Sequence, residues 1–230
     1  MENGGKEYTG KKQKGEPQLV TPPKLPEPLR EALIEEEVER AVEEGLDVEN
    51  CRFYGEELPN LAGETVEFSG CCFEKCVFRP SGAERLVFVD CVLDTCDLSG
   101  MRFEKSTFQR VAFKGCRMTG AVFSETPMMN VSFENCVMNL AAFGEIKAQH
   151  VLFSECGMKE CSFFRFRWQD WTLRDCDMQR AEIHETAMKG MNVTSCGIEG
   201  IMADAPSVRG MTVTREQAVQ LAALLGLIVQ

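Results

Sequence analysis

Residues 96–125, broken into fives, read CDLSG MRFEK STFQR VAFKG CRMTG AVFSE. The middle residues of these blocks are Leu98, Phe103, Phe108, Phe113, Met118 and Phe123, and the residues two places earlier are Cys96, Met101, Ser106, Val111, Cys116 and Ala121. Followed outward in both directions, the register runs without insertion or deletion from Val48 to Val213, and Gly63 is the one central position that is not apolar. A strand alternates faces with period two and a helix repeats near 3.6, so neither keeps every fifth residue on one side over such a length. A coil that turns a corner every five residues does. Four sides make a turn of about 20 residues, and about eight turns spaced ~4.8 Å apart form a rod on the order of 40 Å long.

The blocks CDLSG MRFEK and CRMTG AVFSE carry the pattern small-x-(Leu/Phe)-x-x, which resembles the pentapeptide-repeat proteins over residues 46–213, with Cys often where that family favours Ala. The resemblance implies an all-β solenoid, a right-handed quadrilateral β-helix, and the sequence at both ends adds short capping helices. Residues 1–25 hold five Lys and few large apolar groups, the composition of a disordered tail. Between 26 and 45, Leu29, Leu33, Ile34, Val38, Ala41 and Val42 recur at helical spacing before Gly45, which predicts an N-terminal capping helix over this span. Over 214–230, Thr214 and Gln217 have capping-box spacing, Ala218, Leu221, Ala222 and Leu225 form an apolar stripe, and Gly226 is placed to stop a helix.

The first residues lack an apolar leader and no run is long enough to cross a membrane, so a cytoplasmic protein with reduced cysteines is expected. A net charge of −11 disfavours direct binding to nucleic acid or anionic lipid. Eleven of the twelve cysteines fall two residues before a central position, and Cys76, Cys96, Cys116, Cys136, Cys156, Cys176 and Cys196 recur once per turn. A straight column packs as small hydrophobes and does not converge on a metal. Cys72 sits at an outward position and is the expected reactive thiol. His150 and His184 fall outward on different sides, and no phosphate loop, zinc-spaced cysteine pair or nucleophile elbow occurs. The sequence therefore predicts neither catalysis nor a cofactor nor a metal.

What remains is surface. Glu64, Glu84, Glu104, His184 and Asp204 share one outward column, with Glu125, Glu145 and Glu185 beside it, although Arg85, Arg102, Lys105 and Arg165 lie on the same side. A solvated face and mimicry of duplex DNA are the two readings of this stripe. The second follows from the resemblance, because some pentapeptide-repeat proteins occupy the DNA-binding saddle of type II topoisomerases such as DNA gyrase. In CSFFRFRWQDWTL, Phe166 and Trp171 stand where small residues are usual, which predicts a bulge at Phe164–Trp171, while Phe164 with Arg165 and Arg167 has hot-spot composition. Val219, Ala223, Leu224, Leu227 and Ile228 lie outside the cap stripe and predict a homodimer contact, a mode the resemblance also implies, the alternative being a tail folded back over the last coil. The expected function is a non-enzymatic protein-interaction or scaffold module, with modulation or protection of a type II topoisomerase as the alternative.

Overall fold

The computed structural model describes residues 20–59, 61, 64–79 and 85–228. The chain winds as a parallel four-sided solenoid whose partners differ by about one turn throughout, as in Phe113 beside Phe133 and Phe123 beside Phe143. The sides are named here from one turn: A (86–90), B (91–95), C (96–100) and D (101–105). Sides A and B form continuous strands bent at a corner, including Val87–Asp94, Thr107–Lys114, Met128–Glu134, Lys147–Ser154 and Arg167–Arg174. Side D carries the ladder Arg102–Glu104 to Met202–Ala203, and side C is joined mainly by single bridges such as Asp97–Arg117–Val137. The corner residues Asp90, Arg110, Asn130, His150 and Asp170 adopt φ between 52° and 56°. That region favours Asn, Asp and His among residues with a Cβ.

Every described central residue from Val48 to Ile198 is buried except Trp168, and Ala203, Val208 and Val213 are half-buried where the coil gives way to helices. Rings stack from coil to coil: Phe113 on Phe133 at 4.8 Å and 2°, Phe133 on Phe153 at 4.6 Å and 9°, Phe143 on Phe163 at 5.0 Å and 5°. The stacking distance equals the strand spacing, so the ladder sets the geometry of the core. Beside the rings, the small residues also donate: Cys116 Sγ to Leu93 O (3.3 Å), Cys161 Sγ to Met138 O (2.9 Å), Thr126 Oγ1 to Phe103 O (2.7 Å). Cys and Thr at this position therefore each supply a donor as well as a small volume.

The aromatic segment departs from the predicted bulge. Phe166 and Trp171 both point inward, and Arg167–Arg174 pairs in unbroken parallel register with Lys147–Ser154. Crowding is relieved at Trp168, whose ring packs half-buried against the core and donates Nε1 to Ala187 O at 2.7 Å. It is also relieved one coil higher. Arg167–Arg174 is the last strand of the A–B sheet, and Asn192 bridges onward to Thr212. Phe166 and Trp171, with ring centroids 4.6 Å apart, fill the bore below this break.

Both ends are covered, though not as the apolar spacing predicts. The first helix, α1, spans Ile34–Glu44, and the prolines at 26 and 28 leave the preceding chain extended. Within that extended stretch Arg30–Glu31 pairs with Cys51–Arg52 as an extra strand. Ile34, Val38 and Ala41 close the first coil, whereas Leu33 and Val42 are exposed. Residues 20–25, expected to be disordered, lie hydrogen-bonded against the solenoid, and residues 1–19 are outside the described residues. At the other end a short helix, α2 (Ala205–Val208), precedes α3 (Arg215–Ala222), which opens on the Thr214–Gln217 capping box. Gln217 Nε2 donates to Val193 O and Cys196 O at 2.9 and 2.8 Å. Gln217 and Leu221 thus face the last coil while Ala218 is exposed, and the side chain of Leu225 lies outside the described residues.

Glu37 is the buried charge of the N-terminal cap. It accepts two bonds of 2.7 Å from Arg30 and a third from Arg40, and the Arg30 guanidinium holds its carboxyl below the usual range. A carboxyl with a depressed folded pKa adds stability above its unfolded value of about 4.3, and that stability is lost as pH falls through the folded value. Glu37→Gln is expected to cost about 1–3 kcal/mol at neutral pH. In thermal melts against pH, its deficit relative to the parent should shrink below pH ~4; a constant deficit would assign the loss to packing.

Candidate interaction surface

The side-D ladder places outward residues in columns one turn apart, and the corner beyond it adds Arg85, Lys105, Glu125, Glu145, Arg165 and Glu185, all with φ between 49° and 64°. Arg165 is the hub. Its Nε lies 2.8 Å from Glu185 Oε2 and its Nη1 3.3 Å from Glu145 Oε1, and the guanidinium sits 4.7 Å from the centroid of the Phe164 ring. Phe164, 37% exposed, is thereby a surface ring with a cation over it. Beside the hub runs an open cleft of about 440 Å³, floored by Pro127 and Ile146 and edged by Glu125, Glu145, Lys147, Arg165 and Arg167.

The structure thus brings Phe164, Arg165, Arg167, Glu125, Glu145 and Glu185 together on one corner. It does not bring the acidic column together as a free run of charge. Arg102 binds Glu104 through Nε at 2.9 Å, and Arg165 engages both Glu145 and Glu185. Asp204 caps α2, accepting from Ser207 N and Glu185 N at 2.8 Å each. Burial opposes its ionisation, but those amides outweigh it and hold its pKa below the ordinary value. Glu64 is exposed on an early coil, and Glu84 lies outside the described residues. Lys147, which sequence reasoning passed over, lines the cleft because its column is one rung below Arg167.

The interior is sealed. All twelve cysteines are buried and free, and no cluster of His, Cys, Asp and Glu among the described residues could hold a metal. Cys72 corrects the expectation of a reactive thiol. It occupies an outward position yet is only 7% exposed, its Sγ is 3.7 Å from Glu74 Oε1, and burial pushes its pKa up to about 12. Burial likewise pushes Cys161 up to about 12. The thiolate is the reactive species, so neither is a nucleophile near neutrality. Labelling with a thiol reagent at pH 8 should modify no site of the native protein on the timescale that completes all twelve after denaturation. Rapid native modification of Cys72 would contradict this burial.

At the C-terminal end, Val219 (52%), Leu227 (58%) and Ile228 (90%) are exposed beside the exposed Ala223 and half-buried Leu224. No described helix is long and apolar enough to cross a membrane.

The model of the pentapeptide repeat region matches residues 86–160. No curated protein sequence matches the chain. Among solved structures, QnrB1, a plasmid-mediated fluoroquinolone resistance protein, is similar at 16% identity over 80% of this chain and 98% of that one, with a TM-score of 0.31. HetL, a pentapeptide repeat protein involved in heterocyst differentiation regulation from the cyanobacterium Nostoc sp. strain PCC 7120, is similar at 10% identity over 76% and 92%, with a TM-score of 0.37. Residues 86–160 are thus a pentapeptide repeat region, and they share one register with the coils on either side.

Proposed function

We propose that the protein is a non-enzymatic interaction module that engages a partner protein through the corner between sides D and A. The observation that carries this reading is the Phe164–Arg165 pair at the rim of an open cleft. An exposed ring held by a cation that is itself fixed by two carboxylates loses little freedom on binding, and aromatic and Arg side chains are the usual anchors of interfaces. Lys147 and Arg167, one rung apart at the cleft edge, favour an acidic contact on the partner. The ion pairs of side D weigh against duplex mimicry and a gyrase target, because a DNA surrogate has to present uncompensated negative charge in a long run.

Cross-linking in extract, followed by identification of the captured chain, tests the reading. The double variant Phe164→Ala/Arg167→Glu should lose the captured protein, with a partner affinity at least tenfold weaker, an effect of about 1.4 kcal/mol or more. Retention of the same partner at the same yield by the folded variant would overturn this placement of the surface.

The chain also forms a homodimer in this reading, through Val219, Ala223, Leu224, Leu227 and Ile228. Their exposure at the end of a rod suits a two-fold end-to-end contact that buries the same patch on both copies. Light scattering at tens of micromolar should give twice the chain mass for the parent and the single mass for Leu227→Asp/Ile228→Asp. A parent that is monomeric at that concentration would contradict the dimer.

A further inference from the structure

The corner between sides A and B stacks Asn50, Gly70, Asp90, Arg110 and Asn130, one per coil, and the N-terminal segment is laid along it. Arg30 N donates to Asn50 O at 2.9 Å, Lys24 N to Asp90 Oδ1 at 2.9 Å, and Thr21 N to Asn130 Oδ1 at 3.0 Å. Between them, Pro26 crosses Gly70 so closely that a Cβ there would lie 3.2 Å from Pro26 Cδ. The rung is open to the crossing chain because Gly70, with φ +63°, has no side chain.

Two features mark this corner as a track built for one kind of chain. The segment Thr21–Pro28 reads TPPKLPEP, so half of its residues have no amide hydrogen and its backbone is restricted toward extended forms. Two of the remaining amides, Thr21 and Lys24, are three residues apart and meet side-chain acceptors. The acceptor at Asp90 is fixed independently, because Arg110 grips both its oxygens at 2.6 Å and holds its pKa below the ordinary value. The track is therefore preorganised, and a preorganised site binds without an ordering penalty of its own.

The occupant is held lightly. Both side-chain hydrogen bonds to the segment are exposed, and a bond of this kind contributes about 0.5–1.5 kcal/mol. Thr21, Pro22, Lys24, Glu27 and Pro28 are exposed, and Pro23, Leu25 and Pro26 are half-buried. Local release of such a segment needs far less free energy than unfolding of the coils beneath it. We propose that the A–B corner is a docking track for a proline-rich extended segment of a partner protein, occupied in cis by residues 20–28, and that the partner binds by displacing them. The track lies on a different corner from the cleft proposed above, and neither reading depends on the other.

The test uses full-length protein and a fluorescent peptide with the sequence of residues 17–29, PQLVTPPKLPEPL. Thr21→Pro/Lys24→Pro removes both amide donors from the cis segment and leaves the track intact, and faster hydrogen exchange over residues 25–29 reports release. The peptide should bind this variant at least tenfold more tightly than it binds the parent. A peptide with proline at both donor positions should bind the variant at least tenfold more weakly than the parent peptide does. Equal affinity for parent and variant, no binding to a variant whose segment is released, or equal binding of the two peptides would each overturn the proposal. Strap exchange between copies, seen as a peptide-sensitive rise in mass when variant and parent are mixed, would assign the track to a second copy and likewise overturn it.

Discussion

Five residues per side leave room for two inward side chains, and on all four edges of the coil most described corner residues lie in the left-handed region of backbone space. For a residue with a Cβ that conformation costs on the order of 1 kcal/mol. Asp90, Asn130 and His150 belong to the types that tolerate it, but Arg110, Leu140 and Glu145 are held in it all the same. What offsets this repeated strain is the ladder of main-chain bonds to the next coil together with the stacked core, so the coil is stable only as a stack. The structure answers this dependence with covers at both ends: α1 with its buried Glu37 at one, and Gln217 of α3 reaching the carbonyls of the last coil at the other.

The same constraint explains why chemistry is displaced to the surface. Rings stacked at the rise of the coil and thiols that donate to carbonyls of the preceding turn fill the bore. Function then has to be read from columns of outward residues, where a rung spacing of ~4.8 Å lets neighbouring coils exchange charge. Asp90 with Arg110, Glu160 with Arg180, and Arg165 between Glu145 and Glu185 are all pairs one turn apart. A rod whose surface charges are compensated in this way presents particular side chains to a partner, not a uniform field.

Much of this was legible in the sequence because a period of five is a local signal repeated many times. The buried register from Val48 to Ile198, the capping box at Thr214 and the left-handed stops at Gly45 and Gly226 all follow from spacing alone. Three features were not legible. Cys72 is outward by register, yet the neighbouring side chains of a flat sheet cover so small a group. Trp168 keeps its place in the ladder while its ring stays half-buried at the edge of the core, an outcome that depends on how much of the bore Phe166 and Trp171 have already filled. The docking of Thr21 on Asn130 joins residues 109 apart in the chain, and composition alone read that segment as free. The candidate surface is partly legible: composition points to Phe164, Arg165 and Arg167, whereas the bridging of Glu145 and Glu185 by Arg165 appears only once coils are stacked.

Each turn is an interchangeable unit whose stability comes from its neighbours. Excision of one whole turn, residues 116–135, tests it most directly when set against excision of 116–133, which removes nearly the same mass but breaks the register. Far-ultraviolet circular dichroism followed through thermal unfolding is the measurement. The first deletion should keep the β spectrum and a single cooperative transition while the second loses both; equal disruption by the two would show that the turns are not interchangeable.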